Sequence, residues 1–460
     1  MKKLHQFIQG SALIIVAVTL IYLGAVRMGW ISPPGGRSLG LVLVIMAAAH
    51  AFWWAWLDGL LASARPAQSS NDGAEAQAGQ NVRSGVVWRL ALLVYLVAVL
   101  APVAMVVLRM RDRWDALPVP VIMWTLIWHF VLVATGCAAA AGGVVWLLIR
   151  LLPRRERQQS NAQGTPPDAG GGASQRLSRR ALLARAAGAA PLVITGTATA
   201  AGLRAQGQFR VRHLEMRLPR LPARLRGLTI THVSDFHVGR LFRPEHLPRV
   251  VDAVNKLGSD LVAVTGDILD HSNDFLPAAH QAVQAMESRH GRYLVLGNHD
   301  LIDSPRELFE YLLPREPNLL LDRHETLDIG GERVQVAGLF WSRHETAMGD
   351  DPGLAGRTER ALTGADPDTF TLALTHHPHA FDALAARGTD LTLAGHTHGG
   401  QLMLLPPEWG FQIGAGNLLF HYIYGEYRIG EKAMYVNAGV GNWFPVRVNA
   451  PAEIVKIRLV

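Results

Sequence analysis

The pattern of apolar and polar positions divides the chain near residue 206. Before this point the chain has four almost uninterrupted apolar runs, and each reaches the roughly 20 residues that a helix needs to cross a bilayer. A soluble helix of this length normally carries a polar face, which these runs lack. We therefore expect a four-helix transmembrane region over residues 1–152, with spans at residues 7–26, 39–61, 90–108 and 122–148.

Residues 181–206 form a fifth segment with a different composition. A polar linker at residues 153–180, rich in Gly, Ser and basic residues, precedes it and ends on the pair Arg179 and Arg180. An Ala- and Gly-rich stretch follows and closes on the tripeptide Ala-Thr-Ala. This layout fits a twin-arginine-like signal segment, and it also fits a fifth transmembrane helix. Both interpretations place the rest of the chain on the opposite side of the membrane from the linker.

The two parts of the chain also differ in charge. Residues 1–206 carry 19 Lys and Arg against 7 Asp and Glu, whereas residues 207–460 carry 25 against 30. Basic residues collect on the cytoplasmic side of membrane proteins, and the densest basic cluster is in the linker, although Arg109, Arg111 and Arg113 oppose this orientation. We expect a multi-pass protein of the cytoplasmic membrane whose second part is extracytoplasmic. Since the basic surplus belongs to the membrane part, no nucleic-acid partner is expected.

Residues 207–460 alternate short apolar runs of strand type with helical stretches. One example is the run LTITHVS, which is followed by a helical stripe of Leu247, Val250, Val251 and Val254. Towards the C-terminus, runs with strand periodicity follow one another without helices between them. The pattern predicts an α/β domain with a mixed sheet, and the late strands favour more than one sheet.

Polar side chains follow five of the predicted strands, at the point where each strand ends. In α/β sheets, binding sites form beyond the carboxyl ends of the strands, so we expect these side chains to meet in one crevice. Each of them alone is also explained as a turn former, a helix cap or a polar loop residue. Together they are Asp235, His237, Asp267, Asp270, Asn298, His299, Asp300, His376, His377, His396 and His398.

The chemistry of these side chains is that of a metal site. Oxygen and imidazole ligands without thiolate suit Mn, Fe or Zn, and the single cysteine of the chain lies in an apolar run. Two such ions held close together clamp a phosphoryl group and activate a water for in-line displacement. We therefore expect two divalent metal ions of this kind as cofactors.

The blocks DFHVG, GDILD, GNHD, THHP and GHTHGG, in this order, resemble the calcineurin-like metallophosphoesterases. The extended GHTHGGQ block and the C-terminal strand run are similar to a bacterial branch whose members carry membrane or twin-arginine leaders. The resemblance covers residues 207–460 and implies a four-layer α/β/β/α sandwich. It also implies a role for each matching residue. Asp235, His237 and His398 bind one ion, Asn298, His376 and His396 bind the other, Asp267 bridges both, His299 faces the substrate phosphate, and Asp300 orients His299.

The resemblance implies a membrane-anchored phosphoesterase that hydrolyses a phosphomonoester, or a phosphodiester or pyrophosphate bond, with metal-activated water. A lipid-linked or envelope-linked phosphate ester is a candidate substrate because of the membrane segments. The alternative is a non-catalytic membrane receptor or scaffold that retains the metal-binding fold. Degenerate domains usually lose Asn or His ligands, and the sequence keeps all of them, which favours the enzyme.

One segment departs from the pattern of many relatives, which are Asp-rich after the strand that corresponds to VQVAGL. This chain has FWSRHE there, including Phe340 and Trp341. We interpret the aromatic pair either as a wall of the substrate pocket or as ordinary loop packing. Neither interpretation touches the expected metal ligands.

Overall fold

The computed structural model describes residues 118–151, 179–341, 353–405, 413–418, 420–442 and 444–460. The chain divides into two compact units, with the boundary between Thr199 and Ala200. The first three predicted membrane spans and nearly all of the predicted linker lie outside the described residues, so they stay predictions.

Two long helices cover the last two segments of the first part. Helix α1 (Val119–Leu151) contains the predicted fourth span, and helix α2 (Arg179–Ala205) begins within the arginine pair and contains Pro191. In α1 the rings of Trp124 and Trp128 stack with their centroids 6.4 Å apart. Within the described part of the chain, no helix combines the length and the apolar character of a membrane span.

The second unit contains two β-sheets. The strands of the first sheet are β1 (Arg210–Met216), β2 (Thr229–Val233), β3 (Leu261–Thr265), β4 (Arg292–Val295) and β11 (Glu453–Leu459). Their order is β1–β11–β2–β3–β4, and β2, β3 and β4 are parallel to one another. Strand β11 runs antiparallel to β2 and parallel to β1. The amino ends of β1 and β11 therefore lie at the same edge as the carboxyl ends of β2, β3 and β4.

The second sheet has six strands. They are β5 (Arg323–Ile329), β6 (Glu332–Gly338), β7 (Phe370–Leu374), β8 (Leu391–Ala394), β9 (Gly425–Ile429) and β10 (Lys432–Val436). Their order is β5–β6–β7–β8–β10–β9, in which β6, β7, β8 and β10 are parallel and the two edge strands are antiparallel to their neighbours. Every position of β3, β7 and β8 is buried, as expected for parallel strands that are covered on both faces.

Helices cover the outer faces of both sheets. Helices α3 (Leu247–Leu257), α4 (Leu276–Gln284) and α5 (Pro305–Leu312) share an apolar cluster with the first sheet, and α6 (Leu354–Leu362) and α7 (Ala380–Ala386) share one with the second. A third cluster joins the facing sides of the two sheets. The layers are therefore helix, sheet, sheet, helix, and the prediction of a mixed α/β domain with more than one sheet is confirmed.

Helix α3 illustrates how the sequence pattern determines the packing. Its buried residues are Leu247, Val250 and Val254, which belong to the predicted stripe, whereas Val251 is only partly buried. The helix ends at Gly258, whose φ of 54° is the left-handed conformation that glycine adopts without a steric penalty.

Candidate metal centre

Five strands of the two sheets end at the same edge of the second unit. Nδ1 of His376, after β7, donates to the carbonyl oxygen of Thr265 at the end of β3, at 2.7 Å. The backbone N–H of His396, after β8, donates to the carboxylate of Asp235, after β2, at 3.0 Å. These contacts across the two sheets bring the polar strand ends into one crevice.

The first group of convergent side chains consists of Asp235, His237 and His398, and all three are buried. Nε2 of His237 lies 2.9 Å from Nε2 of His398, which in turn lies 3.3 Å from Oδ1 of Asp235. The other ring nitrogen of His237, Nδ1, lies 3.3 Å from Oδ1 of Asp270. Because Nδ1 donates its proton there, Nε2 presents its lone pair to the group.

The second group consists of Asp267, His376 and His396, and Asn298 lies beside it. Nε2 of His376 lies 3.2 Å from Nδ1 of His396 and 3.2 Å from Oδ1 of Asn298. Since Nδ1 of His376 donates to Thr265, Nε2 is the ring nitrogen that faces the neighbouring ligand atoms.

The carboxylate of Asp267 lies between the two groups. Its Oδ2 is 3.1 Å from Nε2 of His376 and 3.4 Å from Nε2 of His237. Its Oδ1 accepts the backbone N–H of His299 at 2.8 Å, which fixes the orientation of the carboxylate. One side chain therefore faces a ligand nitrogen of each group.

The turns that carry these side chains have an unusual backbone. Of the eight non-glycine residues with positive φ in the described ranges, five belong to the two groups. A left-handed conformation costs about 1–2 kcal/mol for such a residue, and this kind of strain concentrates at functional sites. Their φ angles are 51° for Asp235, 48° for His237, 49° for Asp267, 73° for His396 and 52° for His398.

The residues present fit divalent metal ions. The converging atoms are carboxylate oxygens, imidazole nitrogens and one amide oxygen, which are the ligands that Mn, Fe and Zn accept. Buried carboxylates and imidazoles at such short separations need either shared protons or a cation between them.

A family model for calcineurin-like phosphoesterases matches residues 228–400, which contain every residue of both groups. Residues 228–400 are therefore similar to the calcineurin-like phosphoesterases.

Several named proteins are similar to this chain over part of their length. A zebrafish (Danio rerio) protein called transmembrane protein with metallophosphoesterase domain is 32% identical over 278 residues, which cover 58% of this chain and 61% of that protein. A metallophosphoesterase of Campylobacter jejuni is 29% identical over 256 residues, or 54% of this chain and 63% of that protein. The UDP-2,3-diacylglucosamine pyrophosphatase of Chlamydia muridarum is 23% identical over 295 residues, covering 54% of this chain and 89% of that enzyme. The chain thus spans about three fifths of the length of the first two relatives.

Asp270, from the GDILD block, supports two histidines of the phosphoesterase domain. Its carboxylate lies against Nδ1 of His237, and its backbone carbonyl oxygen accepts Nδ1–H of His299 at 2.7 Å. Asp270, His237 and His299 also form a compact group of potential ligands. Since Nε2 of His237 faces the first group, we assign Asp270 to positioning this ring rather than to binding an ion.

The carboxylate of Asp300 lies between two loops of the site. Its carboxylate oxygens accept the backbone N–H groups of Leu269 and Gly297, both at 2.8 Å. Burial and the nearby charge of Asp267 raise the pKa of Asp300 to about 7. Asp300 therefore joins the loops that follow β3 and β4, and its role in orienting His299 stays a prediction; the backbone carbonyl group of Asp270 accepts Nδ1–H of His299.

Burial and neighbouring charges shift the pKa values of the side chains of the second group. Burial opposes the ionisation of Asp267, but the imidazoles of His376 and His299 hold its pKa below the usual range. Burial also opposes the charge on His376, but Asp267 and Asp235 raise its pKa to about 10. Burial and the proximity of His376 lower the pKa of His396 to about 3. A metal ion therefore competes with protons for the same atoms.

Two glycines allow the strand ends to approach the ligands closely. A Cβ at Gly395 would overlap the hydroxyl of Ser234 and the carboxylate of Asp235, and a Cβ at Gly297 would overlap the carboxylate of Asp267. The glycines of the GHTHGG and GNHD blocks are thus required by close packing against ligand carboxylates.

Sequence reasoning missed Arg447, which supports the first group. Its Nη2 lies 3.1 Å from Nδ1 of His398, and its guanidinium donates to the carbonyl oxygens of Ala438 at 2.8 Å, Gly441 at 2.6 Å and Ala450 at 3.0 Å. Burial lowers the pKa of Arg447 to about 10, so the guanidinium stays charged at neutral pH. The signal in the sequence was a lone arginine within the apolar segment NWFPVRV, where a charge needs partners.

The remaining predicted residues lie beside the two groups. Phe340 and Trp341 pack partly buried against the cluster under the first sheet, and the ring of Phe340 is 5.9 Å from that of Phe309. This contact favours the loop-packing interpretation. The buried ring of His377 lies 4.6 Å from the ring of His396, and His377 belongs to none of the candidate metal groups of the described residues.

Proposed function

We propose that the domain is a dinuclear-metal phosphoesterase, and the position of the Asp267 carboxylate between two ligand groups is the observation that carries this proposal. Asp235, His237 and His398 would hold one ion, Asn298, His376 and His396 would hold the other, and Asp267 would serve both. When bound, two divalent ions clamp a phosphoryl group and activate a water for in-line displacement. The reaction class is hydrolysis of a phosphomonoester, phosphodiester or pyrophosphate bond.

His299 supplies the proton for the leaving oxygen. Its side chain is 23% exposed, whereas the side chains of His237, Asp267 and His376 are almost fully buried, so His299 reaches the accessible side of the crevice. Burial lowers the pKa of His299, but the charges of Asp267 and Asp270 raise it to about 9, which keeps the ring protonated at neutral pH. Since Nδ1 donates to the Asp270 carbonyl oxygen, Nε2–H is left to face the substrate.

The metal dependence of hydrolysis tests the proposed activity. The full-length protein is stripped with a chelator and assayed with 4-nitrophenyl phosphate and bis(4-nitrophenyl) phosphate. We expect turnover to disappear and to return with Mn, Fe or Zn, with about two ions bound per chain by elemental analysis. A folded, metal-loaded protein that hydrolyses neither ester would instead support the non-catalytic receptor or scaffold.

Replacing His299 by alanine separates proton transfer from metal binding. His299→Ala is expected to lower kcat about 100-fold, because a positioned acid contributes roughly this factor, while the metal content stays at the wild-type value. His213→Ala, at an exposed position on β1, is the matched control and should leave both quantities unchanged. Loss of metal in His299→Ala would contradict the role assigned to the ring.

We further propose that the enzyme is anchored in the cytoplasmic membrane with its domain outside and acts on a lipid-linked phosphate ester. The apolar segments of the N-terminal part support the anchor. One relative is called a transmembrane protein, which also supports the anchor. Another is called a diacylglucosamine pyrophosphatase, which supports a lipid-linked substrate. A C-terminal alkaline phosphatase fusion should be active and a fluorescent-protein fusion dark; the reverse pattern would place the domain in the cytoplasm.

A further inference from the structure

Three short segments lie side by side next to His398. The backbone N–H of Met403 donates to the carbonyl oxygen of Val448 at 2.9 Å, and that of Val448 donates to Gln401 at 2.7 Å. The N–H of Leu404 donates to the carbonyl oxygen of Ile413 at 2.7 Å. These bonds form a small sheet-like surface in which each side chain points either into the domain or away from it.

The alternation of side chains places four apolar residues on the outward face. Met403 is 1% exposed and packs inward against the cluster that contains Ile423 and Tyr424. Its neighbours along the segment therefore point outward, and the bridges pair Leu402 with Val448 and Met403 with Gly414. We call this outward face the rim patch, and it consists of Leu402, Leu404, Ile413 and Val448.

The exposure of the rim patch is high for such residues. Leu404 is 71% exposed, Ile413 is 52% exposed and Val448 is 45% exposed. Single exposed apolar residues are ordinary, but a contiguous group of them marks a binding surface. A stable protein interface needs roughly 20–30 residues from each partner, which is far more than this strip provides. An alkyl chain is an apolar ligand of matching size.

The rim patch is continuous with the metal centre. Leu402 follows His398 by three intervening residues, and Val448 follows Arg447, whose guanidinium contacts the ring of His398. The chain also enters the domain here, because the N–H of Arg210, the first residue of β1, donates to the carbonyl oxygen of Ala452 at 2.9 Å. Strand β1 thus begins at the edge of the domain that carries both the patch and the metal ligands.

We propose that the rim patch binds the hydrocarbon chain of a lipid phosphoester whose phosphate is bound at the metal centre. This inference rests on the proposed phosphoesterase function and names its substrate class. The chain of the substrate runs from the phosphate across Leu402 and Val448 to the more exposed Leu404 and Ile413. The apolar area that a hydrocarbon chain buries increases with its length, so kcat/KM must be higher for esters with longer hydrocarbon chains.

The test compares two soluble diesters, methyl 4-nitrophenyl phosphate and hexyl 4-nitrophenyl phosphate, with the full-length metal-loaded protein in one detergent. We expect kcat/KM to be about tenfold higher for the hexyl ester. The triple variant Leu404→Ser, Ile413→Ser, Val448→Ser should lose most of this preference and hydrolyse the methyl ester within about twofold of the wild type. Leu313→Ser, at a 57% exposed position at the end of α5, is the control and should keep the preference.

The outcomes separate this inference from the proposed function. If neither ester is hydrolysed with any divalent metal, the phosphoesterase proposal fails. If the wild type hydrolyses both esters at equal kcat/KM, or if the triple variant keeps the preference, the rim patch does not bind the chain. If the triple variant loses activity on the methyl ester through misfolding, the single variant Leu404→Ser decides, since its side chain is the most exposed. Retention of the full hexyl preference in Leu404→Ser would then overturn the inference.

Discussion

Asp267→Asn is expected to lower kcat for bis(4-nitrophenyl) phosphate about a thousandfold and to reduce the bound metal from two ions to one or fewer. Asp267 faces Nε2 of His376 and Nε2 of His237 with one oxygen, so its charge serves both ligand groups. An amide lacks this charge, and its NH₂ group repels the cation that each group is arranged to hold. Elemental analysis and steady-state kinetics measure the two effects on the same preparation.

The variant should fold normally, which makes its defect interpretable. The oxygen of the asparagine amide can still accept the backbone N–H of His299, the bond that Oδ1 of Asp267 makes at 2.8 Å. The thermal midpoint of the metal-free variant should therefore stay close to that of the metal-free wild type. Asp252→Asn, at an exposed position that pairs with Lys256, is the matched control for the change of charge. Full metal content and activity in Asp267→Asn would contradict the dinuclear site.

The convergence of the strand ends was accessible from the sequence because it follows from a general property of parallel sheets. Strand β3 is a short apolar run whose end is marked by Gly266 and Asp267, and β8 ends in the same way before His396. Once these runs are assigned to parallel strands, their polar ends must lie at one edge. The sequence therefore predicted which residues lie at this edge, whereas the contacts that each side chain makes there follow only from the structure.

Asp270 and Asp300 show why the sequence alone does not identify the neighbours of each side chain. Both aspartates follow a ligand block, and nothing in their spacing tells a carboxylate that holds a histidine from one that binds backbone N–H groups. The contacts of Asp300 with the N–H groups of Leu269 and Gly297 depend on how two separate loops turn. Such bonds between loops are determined by tertiary packing and leave no periodic trace in the sequence.

The contact of Arg447 with His398 is even less visible in the sequence, because the two residues are 49 positions apart in the chain. Its guanidinium satisfies several backbone carbonyl groups in loops that lie between β10 and β11. The loop that contains Ala438 also passes the carboxylate of Asp235, since a Cβ at Gly439 would overlap that side chain. One buried charge thus holds together the C-terminal loops and a ligand of the first group.

Arg447→Met is therefore expected to destabilise the domain by about 3 kcal/mol, which corresponds to a thermal midpoint about 8 °C lower. Methionine fills much of the same volume, but it leaves the carbonyl groups of Ala438, Gly441 and Ala450 without their donor. Nη1 of Arg447 also donates to the carbonyl oxygen of His398 at 3.3 Å, so the turn that carries His398 loses a support and metal affinity should decrease about tenfold. Calorimetry and metal titration of the full-length protein measure the two effects.

Two further substitutions distinguish the loss of these bonds from the loss of a positive charge. Arg447→Lys keeps the charge but has fewer and shorter-reaching donors, so its midpoint should lie between those of the wild type and Arg447→Met. Arg306→Met removes an arginine whose side chain is 87% exposed and forms a surface ion pair with Glu310, so it should change the free energy of unfolding by less than about 1 kcal/mol. If Arg447→Met melts like Arg306→Met, the carbonyl groups around Arg447 are satisfied in another way, and the support that it gives to His398 is not structural.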